Sequence, residues 1–167
     1  VRYPLVNVND LFNSDITGGY SDLRYEYIIK GTNSLNKAYY TGKYSSSSDS
    51  YRETVENPMV PIIRLSEVCY MLAEIALENN DISGAIQYLT EVRNARGAYR
   101  TITAATTEKV LDEIILDMRK DLMTEGQLFF MYKRLNMEKV VNSSNTSLYR
   151  NMRDGYVIPI PTSESPF

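Results

Sequence analysis

Ile62-Ile63-Arg64-Leu65-Ser66-Glu67-Val68-Cys69-Tyr70-Met71-Leu72-Ala73-Glu74-Ile75, running on to Asn79-Asn80-Asp81, is the stretch that decides the fold. Leu65, Val68, Leu72 and Ile75 recur at helical spacing, so they form one apolar stripe and predict a helix near residues 62–79. The residue before a proline avoids helical angles, which fits Val60, whereas Pro61 itself suits a first helical turn. Asn79-Asn80 breaks the pattern, and Asp81 is placed to cap a second helix near 82–96. Ile82, Ala85, Ile86, Leu89 and Val92 share one face of that helix. Gly97 follows Arg93 and Arg96, as a helix end requires: cations near the exposed carbonyls, then a residue free to turn left-handed. Two short amphipathic helices cannot bury both stripes against each other alone, so a neighbour is needed.

The neighbour follows directly. Thr106 or Thr107 caps a third helix near 108–124, with Glu108 in its first turn and a stripe of Leu111, Ile114, Ile115, Met118 and Leu122. Gly126 then reads as a break that needs positive φ or close backbone contact. Leu128-Phe129-Phe130-Met131-Tyr132 opens a fourth helix near 127–136. This spacing of units predicts an all-α fold with little strand: tetratricopeptide-like tandem helical hairpins stacked into a right-handed superhelix.

Residues 1–57 have a different texture and are expected to form an irregular, tyrosine-rich segment packed on the helices. Residues 58–167 are then the helical region with an extended C-terminal tail, in one domain overall. Eight of the 14 tyrosines lie in the first 51 residues, and Ser45 to Ser50 is a low-complexity run that reads as an exposed loop. Tyr25-Glu26-Tyr27-Ile28-Ile29 suits a short strand or a helix start equally. Tyr39, Tyr40 and Tyr44 flank the serine run. Such flat amphipathic side chains could stack on sugar rings, or could simply ring an irregular segment with their hydroxyls in water.

Composition narrows the function. A chain of 167 residues can bury a real core. A net charge of -3 argues against a nucleic-acid or anionic-membrane surface. With one cysteine there is no internal disulfide, and Cys69, set in an apolar helix, reads as a small hydrophobe. With no histidine, Ser-His-Asp and Cys-His catalysis are excluded. No Cys/His metal set and no glycine-rich phosphate loop occurs, so no cofactor or metal is expected. No apolar run is long enough to span a membrane, and no signal peptide is present. The chain starts at Val1 rather than Met, so it is expected to be a piece of a larger protein.

The charged residues have ordinary roles on this reading. Asp112, Glu113, Asp117 and Asp121 are expected to form a solvated face of the third helix. Glu67 and Glu74 share one face of the first helix, with Arg64, Arg93 and Arg96 as natural partners in an interhelical ion-pair network. Glu74 is expected to be buried against Arg93 or Arg96. Nothing singles out the converging carboxylate pair that a glycosidase needs.

Several pieces, in order, resemble the SusD/RagB-like family. These are Ile63-Arg64-Leu65-Ser66-Glu67 with Ala73-Glu74; Leu89 to Gly97; Met118-Arg119-Lys120-Asp121-Leu122 with Glu125-Gly126; and Tyr132-Lys133-Arg134. Tyr156-Val157-Ile158-Pro159-Ile160-Pro161 with Glu164 closes the series, and Asp22-Leu23-Arg24 with Lys43-Tyr44 matches a weaker upstream pattern. Asp117-Met118 departs from the family's usual Glu-Arg, and Gln127 stands where a basic residue is common. The resemblance implies a larger, lipid-anchored protein on the bacterial outer-membrane surface, of which this is the carboxy-terminal part. Its role would be to bind oligosaccharides without cleaving them and to deliver them to a SusC-like TonB-dependent transporter. The membrane would be reached only through a lipid anchor absent from this chain. Two alternatives stand beside it: a tetratricopeptide-type scaffold for protein or peptide, and a carboxylate-dependent glycoside hydrolase.

Overall fold

The computed structural model describes residues 11–12, 18–19, 21–31, 39–41, 62–141, 149–152 and 155–157. Four helices dominate: α1 (Leu65–Glu78), α2 (Ile82–Ala95), α3 (Thr107–Asp121) and α4 (Gln127–Arg134). Two small antiparallel hairpins accompany them. One pairs β1 (Ile29–Gly31) with β2 (Tyr39–Thr41), and the other pairs β3 (Lys139–Val141) with β4 (Tyr149–Asn151).

The helix ends follow the sequence signals closely. The Asp81 carboxylate accepts the Gly84 N–H at 2.8 Å to start α2, and the Thr106 hydroxyl accepts the Lys109 N–H at 3.4 Å to start α3. Gly97 sits at φ +69 beyond the end of α2, where the Ala98 and Gly97 N–H groups return to the carbonyls of Arg93 and Asn94. Asn80, at φ 60, closes α1 in the same way, with the Asp81 N–H on the Ala76 carbonyl at 2.8 Å. Gly126, at φ +76, precedes α4 with open space around the position of a Cβ. The glycine is therefore required by backbone conformation and not by close contact.

At its start α1 departs from expectation. The helix begins at Leu65, because Glu67 turns back to accept the Arg64 N–H at 3.4 Å and makes Arg64, in extended conformation, the capping residue. Ile62 and Ile63 lie outside the helix and exposed, and Pro61 falls outside the described residues.

The Asn79–Asp81 turn lays α2 back along α1, and α3 packs across both. One core results, built from Tyr70, Ala73, Ala76 and Leu77 of α1, Ala85, Leu89 and Val92 of α2, and Val110, Ile114 and Met118 of α3. Leu122 and Met131 complete it. The stripes expected for α2 and α3 are those that turn inward. The one expected for α1 is not: Leu65 is 79% exposed and Ile75 52%, while Tyr70, Ala73 and Leu77 are buried. Ala73 and Ala76 share the inward face with Ala85 of α2, so small side chains let the two helices approach, and the large aliphatics are left on the outer face.

A second cluster docks the upstream segment. Phe12, Ile29 and Met123 are buried together, with Tyr25 tilted against Phe12 at a 5.3 Å centroid separation. Residues Arg24–Ile28 form a π-helical turn leading straight into β1, so the ambiguous Tyr25–Ile29 stretch is helical turn and strand in succession. The Leu23 N–H donates to the Arg96 carbonyl at 2.9 Å, and the Ser21 hydroxyl to the Gly97 carbonyl at 3.4 Å. These upstream groups satisfy carbonyls that the end of α2 leaves open.

Candidate functional site

The signature residues converge on a buried charge cluster. Its centre is Arg24, carried by the π-helical turn and 2% exposed. Its Nε and Nη2 donate to the two oxygens of Asp22 at 3.0 and 2.8 Å. Nη2 also reaches Asp117 Oδ1 at 2.8 Å, and Nη1 reaches Asp121 Oδ1 at 3.1 Å. From α2, Arg93 donates through Nε to Asp117 Oδ2 at 2.7 Å and through Nη2 to Glu113. Arg100 holds the same Glu113 carboxylate at 2.6 Å. The Tyr70 hydroxyl donates to Asp121 Oδ2 at 2.9 Å, and Arg96 Nε lies 3.3 Å from Asp121 Oδ1. Lys120, also buried, stands 3.7 Å from Asp22 and 5.1 Å from the Phe12 ring centroid.

This corrects the reading of α3 as a solvated acidic face. Asp117 and Asp121 are buried, and Glu113 is engaged by two arginines. Spacing along one helix cannot tell a water-facing acid from one that meets arginines brought in from distant chain segments.

The electrostatics follow from the geometry. Burial works against ionisation of Asp121, but Arg24 and Arg96 outweigh it and hold the carboxyl below its ordinary range. Glu113 is half-buried, which works against its ionisation, yet it is likewise held down, by hydrogen bonds from Arg100 and Arg93. Burial also opposes the Arg24 charge, yet the hydrogen bond to Asp22 and the neighbouring carboxylates raise its pKa. Tyr70 is pushed up, first by burial and then by Asp121 and Asp117. A glycosidase acid must hold its proton near neutrality, and both shifted carboxylates move the other way. The cluster clamps helices together.

The ion-pair residues read from sequence divide among several partners. Arg93 and Arg96 join the central cluster. Arg64 lies 3.6 Å from Glu67 and makes a two-pronged contact with Glu125, the second prong at 2.7 Å. Glu74 pairs with neither Arg93 nor Arg96. It meets Arg134 of α4, at 2.6 and 2.9 Å, and that arginine is half exposed. The reason is register: Arg93 and Arg96 point into the cluster around Asp117 and Asp121, whereas Glu74 looks toward the end of α4.

From sequence, Asp22, Arg24 and Lys120 figured only in the family-like patterns, Tyr70 had no assigned role, and Asp117 and Asp121 had that of a solvated face. The available signal was the weak Asp22–Arg24 pattern together with the i,i+4 spacing of Asp117 and Asp121. Tyr39 and Tyr40 lie in β2, where backbone pairing places them opposite Gly31 and Lys30. Tyr44 and the serine run lie outside the described residues.

Among the described residues, two open concavities border the cluster, through Arg96 and Glu113. One, of about 530 Å³, runs between α1 and α2 and is lined by Arg64, Leu65, Ser66, Cys69, Glu91 and Arg96 among others. The Cys69 thiol there is pushed up by burial and then by Glu91, which keeps it protonated and unreactive. The other, of about 310 Å³, lies among α3, α4 and β3. Among the described residues no group of acidic, cysteine or histidine side chains is arranged to hold a metal ion, and no helix is long and apolar enough to cross a membrane.

A sequence profile of the SusD family matches residues 17–165, from the segment before Arg24 through the C-terminal tail. The chain belongs to the SusD family. No curated protein and no solved structure gives a significant match.

Proposed function

We propose that this chain belongs to a non-catalytic oligosaccharide-binding protein at the bacterial outer-membrane surface, one that hands its cargo to a SusC-like TonB-dependent transporter. The observation that carries this reading is the family match over residues 17–165. The buried cluster supports it from the physical side. Its carboxylates are committed to arginines, so the conspicuous acids of the sequence serve as a rigid frame and not as a hydrolytic pair. Stacking of the helical units into a tetratricopeptide-like superhelix, and a lipid anchor as the link to the membrane, belong to the same proposal. So do Tyr39, Tyr40 and Tyr44 as part of the sugar-stacking surface.

The test is a glycan array probed with the whole chain, scored for retention. Retention of a defined set of oligosaccharides supports the reading. An empty glycan array with retention on a parallel peptide array replaces it with a peptide-binding scaffold. One observation favours that second reading: Ile62, Ile63, Leu65, Met71, Leu72 and Ile75 give the α1 side a run of exposed apolar residues.

A further inference from the structure

The groove among α3, α4 and β3 has the chemistry of a ligand site, and apart from Glu113 its charges are not those of the buried cluster. Its walls carry Asp112 and Arg119 from α3, Tyr132 from α4 and Lys139 from β3, above an apolar floor that includes Ile115 and Leu116. Glu113 also borders it, but that carboxylate is already held by Arg93 and Arg100. Among the described residues no ion pair engages Asp112, Arg119 or Lys139. Arg119 acts instead on the Tyr132 phenol. Burial, opposed by Arg119, raises the Tyr132 pKa, so the phenol keeps its proton at neutral pH.

From this arrangement we infer that the groove is a subsite for an acidic oligosaccharide, with Lys139 and Arg119 taking a sugar carboxylate and Asp112 accepting from ring hydroxyls. The inference rests on the oligosaccharide-binding reading above and specifies its ligand. A neutral sugar seated here would strip water from two cations and return no charge to them. A guanidinium from α3 and an ammonium from β3, lining the same groove, instead match a carboxylate. The single carboxylate of Asp112 suits vicinal hydroxyls and disfavours a ligand carrying a dense negative charge. Ile115, Leu116 and the half-buried Tyr132 ring offer apolar surface to the C–H face of a pyranose. The groove thus sets Arg119 and Lys139 beside Asp112 and the arginine-held Glu113, on a chain whose net charge is -3.

The experiment is titration calorimetry of the whole chain against uronate-bearing oligosaccharides, each paired with its own carboxyl-reduced, neutral counterpart of equal length and linkage. The same titrations are run on Lys139→Ala and Arg119→Gln, both checked for unchanged thermal melts. The acidic member should bind at least about ten-fold tighter than its reduced partner, with a preference that shrinks as salt rises. Lys139→Ala should remove most of that preference. Equal affinity for the two members, or a preference that survives both substitutions, overturns this inference and leaves oligosaccharide binding in place. Absence of binding to every sugar, acidic and neutral, overturns the parent reading and this one with it.

Discussion

Arg24 and Asp117 stand 93 positions apart in sequence and meet at 2.8 Å, with side chains 2% and 0% exposed. The contact ties the upstream segment to the middle of α3. Asp117 also takes Arg93 from α2, so one carboxylate joins three parts of the chain. Replacing Asp117 by Ala takes one carboxylate from each of two buried guanidiniums, leaving Arg24 with Asp22 and Asp121 and Arg93 with Glu113. Urea denaturation should show a loss of about 3–5 kcal/mol, the range for breaking a buried ion pair from one side. A loss under about 1 kcal/mol would mean that the cluster is wet and adaptable.

Glu74 is the useful contrast. It has a place in the helical signature, but its partner Arg134 is half exposed, and solvent screens the pair. Glu74→Ala should therefore cost no more than about 1 kcal/mol in the same denaturation series. Measuring Asp117→Ala beside Glu74→Ala separates frame residues from surface ion pairs.

How far the sequence could be read differs between helices, for physical reasons. In α2 and α3 the large aliphatic residues and the buried face coincide, so periodicity finds both the helix and its orientation. In α1 they do not. Leu65, Leu72 and Ile75 make the more obvious stripe, yet the helix buries Tyr70, Ala73, Ala76 and Leu77, because alanines permit close approach to Ala85. The buried acids of α3 were illegible for another reason. Asp117 and Asp121 acquire their meaning from Arg24, which no spacing within α3 can reveal. The groove at Tyr132 and Lys139 likewise exists only once β3 is laid beside α3 and α4.

Gly126 allows a test of backbone strain alone. Its φ of +76 is costly for any side chain, and nothing lies within 4 Å of a Cβ placed there. Gly126→Ala should cost about 1 kcal/mol and Gly126→Val about 2 kcal/mol, the β-branched residue being the worse fit to left-handed angles. Thermal melts of the two variants report the order directly. Equal, negligible shifts would mean that the junction between α3 and α4 relaxes into an ordinary helix.

Acid should weaken the fold through Glu113 and Asp121. Both carboxyls are held below their ordinary values in the folded chain, so their contribution is complete above the unfolded-state pKa values of about 4. It is lost as pH falls through the lower, folded-state values. The urea midpoint should stay level from about pH 8 to 5 on this account and drop below about pH 4. Tyr70, shifted upward, acts at the other end: its contribution is present below about pH 10 and lost above it. Glu113→Gln should flatten part of the acid limb, and an unchanged limb would assign the acid sensitivity elsewhere.

The central claim is capture without cleavage, and calorimetry with recovery of the ligand tests it most directly. The whole chain is titrated with members of an oligosaccharide panel, and each sugar is then recovered and its length determined by mass. The account predicts saturable heat for at least one sugar and recovery of that sugar at full length after prolonged incubation. Shortened products that depend on the protein, or no saturable heat from any member of the panel, would contradict it.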